Sequence, residues 1–121
     1  MKYMLLVHHD EAVFGTFSET KQQQMIDESV QLTHQLNAKR QYINASPLQP
    51  AATAAIVRVR DGKSFVTDGP FIETREQLAG YFLIDATDLN AAIGIAARVP
   101  GARIGTVEVR PLREIVGLPN E

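Results

Sequence analysis

Apolar and polar residues follow two different periods along this chain. Tyr3 to Val7 is a continuous apolar run, too short for a helix and typical of a strand that is buried on both faces. Tyr81 to Ile84 is a second run of this kind and predicts a second central strand. Between them, residues 19–39 show helical spacing, with a predicted buried stripe of Met25, Ile26, Val30, Leu32, Thr33 and Leu36.

A β-hairpin is predicted in the middle of the chain. Residues 54–60 alternate between polar and apolar side chains, and a second strand-like run follows at residues 63–67. The dipeptide Asp61-Gly62 separates the two runs, which is a strong sequence signal for a tight hairpin turn. Asp68-Gly69-Pro70-Phe71 then predicts a sharp turn out of the hairpin.

The remaining elements complete a recognisable order. They are a loop at residues 10–17, the helix N-cap Ser18, a strand at 42–45, a helix at 89–98 with Asp88 as N-cap, and a strand at 103–110. With the hairpin set aside, the order is βαββαβ. The predicted fold class is therefore α+β, a ferredoxin-like βαββαβ unit with an inserted β-hairpin.

The two central strands also predict a partner. In a ferredoxin-like unit both helices lie on one face of the sheet, and a strand with one wet face should alternate in polarity. The runs at 3–7 and 81–84 do not alternate, so their second face needs a cover. A second copy of the chain, forming a homodimer, is the favoured cover; the alternative is that the hairpin folds across this face.

Composition narrows the function classes. A chain of 121 residues suits one domain, and a net charge of −2 with no basic stripe argues against direct nucleic-acid binding. Cysteine is absent, which excludes disulfides, thiol nucleophiles and Cys-based metal sites. The first apolar run is too short for a signal sequence or a membrane span, so we expect a cytoplasmic protein without a membrane partner.

Several linked motifs resemble the DGPF family of YCII-related proteins. These are Met1 to Leu6, His9 to Glu11, Leu48 to Pro50, Val57 to Gly62, Asp68 to Phe71, Glu73-Thr74, Glu76 to Leu78, Gly80-Tyr81, Asp88-Leu89, Ala96 to Arg98 with Pro100, and Val107 to Pro111. The resemblance covers residues 1–112 as a domain and leaves 113–121 as a C-terminal tail.

The resemblance implies a ferredoxin-like fold that pairs as a dimeric α+β barrel. The family's activity is largely unassigned, and members are often encoded beside or fused to extracytoplasmic-function sigma factors. Some YCII-related proteins carry a His–Asp pair on the first helix and its following turn. Here Glu28 and Ser29 stand near the expected His and residues 37–39 offer no Asp, so that chemistry is not carried over.

Two adjacent histidines end the first strand. His8 and His9 should point to opposite sheet faces, so they cannot act as one pair. His9 is the candidate general base or ligand contact; the alternative is a partly exposed histidine at a strand end. Asp10 and Glu11 beside it are expected to raise a histidine pKa or to help hold a cation, but no third spaced ligand is evident, so no metal site and no cofactor are predicted.

Four further residues are candidate ligand contacts. Asp68 and Thr67 would lie at a pocket rim, although the Asp-Gly-Pro-Phe motif also suits a purely architectural turn. Arg58 could bind a carboxylate, or pair with a nearby glutamate. The hydroxyl of Tyr81 needs a partner, either a ligand or a backbone carbonyl.

Two functions of different classes remain open from the sequence. The first is a small-molecule-binding or cofactor-independent enzyme-like domain, with acid–base chemistry at His9 and a pocket between sheet and helices or at the dimer seam. The second is a non-catalytic ligand sensor or a protein-interaction module in a sigma-factor circuit.

Overall fold

The computed structural model describes residues 1–119. The strands are β1 (Lys2–His9), β2 (Tyr42–Pro47), β3 (Ala55–Arg60), β4 (Lys63–Asp68), β5 (Gln77–Asp85) and β6 (Gly105–Pro111). The α-helices are α1 (Glu11–Phe14), α2 (Glu19–Ala38) and α3 (Leu89–Ala96), and single 3-10 turns occur at Ala51–Thr53 and Pro100–Arg103. The mixed α+β class is as predicted. Residues 113–119 form no helix or strand, and the last two residues of the predicted tail lie outside the described part.

Four strands form one antiparallel sheet in the order β2-β5-β1-β6. The two continuous apolar runs lie side by side at its centre, with Leu5 opposite Phe82 on one side and opposite Val109 on the other. This arrangement confirms the predicted central position of both runs.

The core lies between one face of this sheet and the two longer helices. Its members are buried side chains of β1, β5, α2 and α3: Tyr3, Leu5, Val7, Phe82, Ile84, Leu32, Leu36, Ala92, Ile95 and Ala96. Alternation along the strands directs Met4, Leu6 and Leu83 to the opposite face, where they keep part of their surface exposed. We call this second surface the open face of the sheet.

Helix α2 contacts the sheet with only part of its apolar stripe. Leu32 and Leu36, in its C-terminal half, are buried. Ile26 and Val30 are 46% and 50% exposed, so the predicted continuous buried stripe is wrong for the N-terminal half. Helical spacing identifies which residues share a face, but it does not determine whether that face touches another element along its whole length.

The helix starts follow local sequence signals. The Ser18 hydroxyl accepts a hydrogen bond from the Lys21 N–H at 3.1 Å, and the Asp88 carboxylate accepts one from the Ala91 N–H at 2.8 Å, as predicted for N-caps. The loop predicted at residues 10–17 instead begins with the one-turn helix α1. Asp10 caps it, since its carboxylate accepts from the Ala12 N–H at 2.9 Å.

The hairpin forms a separate two-stranded sheet of β3 and β4. Asp61 and Gly62 both have positive φ, 52° and 74°, which is the geometry of the tight turn that their sequence predicted. Every residue of the two strands is exposed except Ile56, which is half-buried. The hairpin therefore does not cover the open face within this chain, contrary to the alternative considered from the sequence.

Two substitutions on one helix test the partial contact of α2. Leu36→Ala should lower the free energy of unfolding by about 2–5 kcal/mol, because it leaves a cavity in the core. Val30→Ala should change it by no more than about 0.5 kcal/mol, because half of that side chain is already in water. Chemical denaturation measures both values. Equal losses for the two variants would contradict the described packing.

Candidate functional site

A cleft of about 640 Å³ lies between the N-terminal half of α2 and the sheet. Along this half of the helix the side chains are exposed or half-buried and do not fill the space above the strands. The apolar walls come from the sheet, the helix and the segment between β2 and β3, and include Val7, Phe14, Met25, Ile26, Val30, Pro47, Leu48, Phe82, Val99 and Ile104. Among the described residues that line the cleft, none is Lys or Arg.

His9 stands at one end of the cleft, as the last residue of β1. Its ring stacks on that of Phe14, with centroids 4.7 Å apart and an angle of 14° between the planes. Phe17 meets Phe14 edge-on at 5.8 Å, so the imidazole belongs to a small aromatic cluster. No hydrogen bond joins the His9 ring to another group within residues 1–119, and its polar atoms remain available to a ligand.

His8 occupies different surroundings, as expected for a neighbour on the same strand. It lines a second cavity of about 550 Å³, whose walls include Phe71, Ile72 and Leu78. The two histidines therefore serve separate surfaces, and only His9 faces the cleft beside α2.

Burial lowers the pKa of His9 below its ordinary value of 6.5. Partial removal from water disfavours the charged imidazolium, and this effect exceeds the opposing attraction of the carboxylates of Glu11, Asp10 and Glu76. From the sequence we expected Asp10 and Glu11 to raise a histidine pKa or to help hold a cation. Their influence has that direction, but desolvation is larger, so the ring is mainly neutral at pH 7.

Glu11 joins three parts of the cleft. Its backbone N–H donates to the side-chain oxygen of Gln77 at 2.9 Å. Its carboxylate accepts from the backbone N–H of Ala51 at 3.1 and 3.2 Å. These contacts hold the segment after β2 against the ends of β1 and β5, which fixes one wall of the cleft beside His9.

Several other polar side chains of the cleft already donate their hydrogen atoms in local bonds. The Gln22 amide donates to the backbone oxygens of Phe14 and Phe17, at 3.2 and 3.1 Å. The Ser29 hydroxyl donates to the backbone oxygen of Met25 at 2.9 Å. What these groups can still offer to a ligand is oxygen acceptors.

The other predicted site residues do not converge on His9. Tyr81 borders the cleft, but it alternates with the core residue Phe82, and its hydroxyl donates to the side-chain oxygen of Asn44. Arg58, Thr67 and Asp68 lie on the exposed hairpin and do not line the cleft. The Arg58 guanidinium sits 5.3 Å from the centroid of the Phe71 ring. The ligand-binding role of these four residues stays a prediction.

Sequence reasoning missed the apolar walls of the cleft, because Ile26 and Val30 look like core residues in a helical pattern. It also missed the stacking partner Phe14, which was placed in a loop. Within residues 1–119, no three His, Asp or Glu side chains cluster in a way that could hold a metal ion.

The fold and the cleft define a mixed α+β domain with an antiparallel sheet and a pocket on its helical side. The model of the YCII-related domain family matches residues 1–116, so the chain belongs to this family, as the sequence motifs indicated. An uncharacterized protein of Rhizobium meliloti (strain 1021) is 36% identical over 121 residues, covering 93% of this chain and 92% of the relative.

The lowered pKa of His9 predicts a pH dependence of stability. Below pH 6.5 the His9 ring is mostly protonated in the unfolded chain but still mostly neutral in the folded chain. The free energy of unfolding should therefore fall as the pH drops from 6.5 toward the folded pKa. Well above pH 6.5, where the ring is neutral in both the folded and the unfolded chain, this residue contributes no slope. An NMR titration of the His9 ring should give a midpoint below 6.5.

The variant Glu76→Gln should lower that midpoint further, because it removes a carboxylate that raises the pKa of His9. His9→Phe should remove the corresponding part of the stability slope measured by denaturation at several pH values. A His9 midpoint at or above 6.5 would contradict the dominance of desolvation.

Proposed function

We propose that this protein binds a small organic molecule in the cleft between α2 and the sheet, with His9 as the polar group that contacts it. The observation that carries the proposal is a half-buried, unbonded imidazole at the end of an apolar cleft. The cleft volume of about 640 Å³ falls within the range of roughly 300–1,000 Å³ that is usual for small-molecule sites.

The same geometry supports acid–base chemistry without a cofactor. A neutral imidazole can take a proton from the bound molecule and return it to another atom of that molecule, which is an isomerisation with no net change of atoms or electrons. The lowered pKa keeps His9 in the form that accepts a proton at neutral pH. In this proposal His9 is the general base.

A ligand sensor or protein-interaction module is the second candidate. It is favoured because the three carboxylates beside His9 already accept hydrogen bonds. Glu11 accepts from the Ala51 N–H, Asp10 from the Ala12 N–H and Glu76 from the Thr106 hydroxyl. In this case the cleft would bind a molecule without transforming it. A role in a circuit with an extracytoplasmic-function sigma factor would then rest on the family resemblance.

Nile red, an uncharged dye that fluoresces in apolar surroundings, tests whether the cleft binds small molecules. We expect saturable binding, and a ligand present at 100 times its Kd should stabilise the fold by about 2.7 kcal/mol. Val30→Trp should abolish this binding, because the larger side chain fills the cleft from a half-exposed helix position.

Gln31→Trp is the matched control, since Gln31 is the next residue of α2, is exposed and does not line the cleft. It should leave Nile red binding unchanged. Undiminished binding to Val30→Trp would place the dye elsewhere and refute the proposal.

We also propose that the four-stranded sheet belongs to a ferredoxin-like unit that pairs with a second copy as a dimeric α+β barrel. The strand order and the position of both long helices on one sheet face support the ferredoxin-like arrangement. The support for pairing is the open face, where Met4, Leu6 and Leu83 are apolar, point away from the helices and keep part of their surface exposed.

Light scattering after size exclusion tests the dimer. At micromolar concentration we expect a mass twice that of the 13.3 kDa chain. Leu83→Arg should shift the protein to the monomer, because it places a charge at the centre of the open face. Ile93→Arg, on the exposed side of α3, is the control and should stay dimeric. A monomeric wild-type protein would contradict the pairing.

Arg58, Thr67 and Asp68 remain proposed ligand contacts, but for a molecule bound at the hairpin and not in the cleft beside α2. Their exposure leaves them free to contact a molecule or a second copy from outside the cleft. Tyr81 would contribute through the open face, on which its hydroxyl meets Asn44.

A further inference from the structure

The charges around the cleft restrict the ligand that it can hold. Its described lining contains no Lys or Arg, and the ionisable groups closest to His9 are the carboxylates of Asp10, Glu11 and Glu76. A phosphate or carboxylate would therefore lose its hydration without gaining a cation. The cleft therefore disfavours an anionic ligand.

The hydrogen-bonding side chains point to the complementary group on the ligand. Gln22 and Ser29 donate their hydrogen atoms to backbone oxygens, and Glu11 carries only acceptor oxygens. The His9 ring has no partner among the described residues. A neutral imidazole has one nitrogen that accepts a hydrogen bond and one that donates. The other donor in the lining without a partner among the described residues is the amide of Gln49. Together with the oxygens of Gln22, Ser29 and Glu11, acceptors therefore outnumber donors in this apolar enclosure.

We propose that the cleft selects an uncharged, largely apolar molecule that donates one hydrogen bond, from a hydroxyl or N–H group, to the ring of His9. This inference rests on the proposed function and names its ligand class. The stacked pair of His9 and Phe14 adds a flat wall next to the acceptor, which favours a planar ligand body.

A set of naphthalene probes of nearly equal size separates the contribution of the hydrogen-bond donor to affinity from the contribution of charge. The probe 2-naphthol is uncharged at neutral pH and carries a donor, whereas 2-methoxynaphthalene is uncharged without one. Naphthalene-2-sulfonate is an anion, and 2-naphthylmethylamine is a cation at neutral pH. Each dissociation constant is measured by fluorescence with the wild-type protein and with Val30→Trp.

We expect 2-naphthol to bind about threefold to tenfold more tightly than 2-methoxynaphthalene, which is the usual value of one hydrogen bond between neutral groups. The sulfonate should bind at least about tenfold more weakly than 2-naphthol, because no Lys or Arg of the described lining can pair with it. The amine should also bind more weakly than 2-naphthol, because the Glu11 carboxylate that lines the cleft is already held by the backbone N–H of Ala51. Val30→Trp should remove the binding of all probes.

His9→Phe keeps a flat ring against Phe14 but removes the acceptor. It should reduce the affinity for 2-naphthol to that for 2-methoxynaphthalene and leave the latter unchanged, which also shows that the variant is folded. His8→Phe is the matched control, because His8 lines the other cavity, and it should preserve the preference.

The preference for 2-naphthol should also decline as the pH falls below the pKa of His9, because the imidazolium has no free acceptor. Asp10, Glu11 and Glu76 are the charged groups that act on His9, so the same pH series with His9→Phe isolates the contribution of the ring.

The outcomes distinguish the two proposals. If no probe binds, or if Val30→Trp has no effect, the proposed binding function fails. If binding depends on Val30 but the sulfonate, the amine or 2-methoxynaphthalene equals 2-naphthol, the cleft binds small molecules and the ligand class proposed here is wrong. Loss of the preference in His8→Phe would likewise overturn the assignment to His9.

Discussion

The packing of Leu32 and Leu36 against the central strands is the contact on which the rest of the structure depends. It attaches the C-terminal half of α2 to the sheet, whereas the side chains of the N-terminal half stay exposed or half-buried. The space that remains is the cleft. Ile26 and Val30 keep about half of their surface exposed because no strand side chain fills this space, and not because the helix lacks an apolar face.

The position of His9 at the end of β1 follows from the same geometry. Alternation along the strand places it on the side of Tyr3, Leu5 and Val7, but one step beyond the core, where the helix no longer covers the sheet. The ring is therefore desolvated enough for its pKa to be lowered, and exposed enough to contact a ligand in the cleft. The three neighbouring carboxylates raise the pKa of His9 by less than burial lowers it, so burial determines the direction of the shift.

Much of the fold was predictable because its signals are local. The Asp61-Gly62 turn, the N-caps Ser18 and Asp88, and the two continuous apolar runs each depend on residues that are close in sequence. The site was predictable only in part. His9 was identified by its chemistry, whereas Glu11 acquires its role from contacts with Gln77 and Ala51, which only the fold brings to it. Phe14 stacks on His9 through the one-turn helix α1, which was predicted as a loop.

The sequence by itself determined the elements, their order, the family and the absence of cysteine chemistry, since these depend on periodicity, turn residues and residue types. The tertiary structure decided which apolar side chains enter the core and which line a cleft, because both kinds show the same spacing along a helix. It also decided the direction of the pKa shift of His9. Neighbouring charges can be read from the chain, but the extent of desolvation depends on how segments distant in sequence pack around the ring.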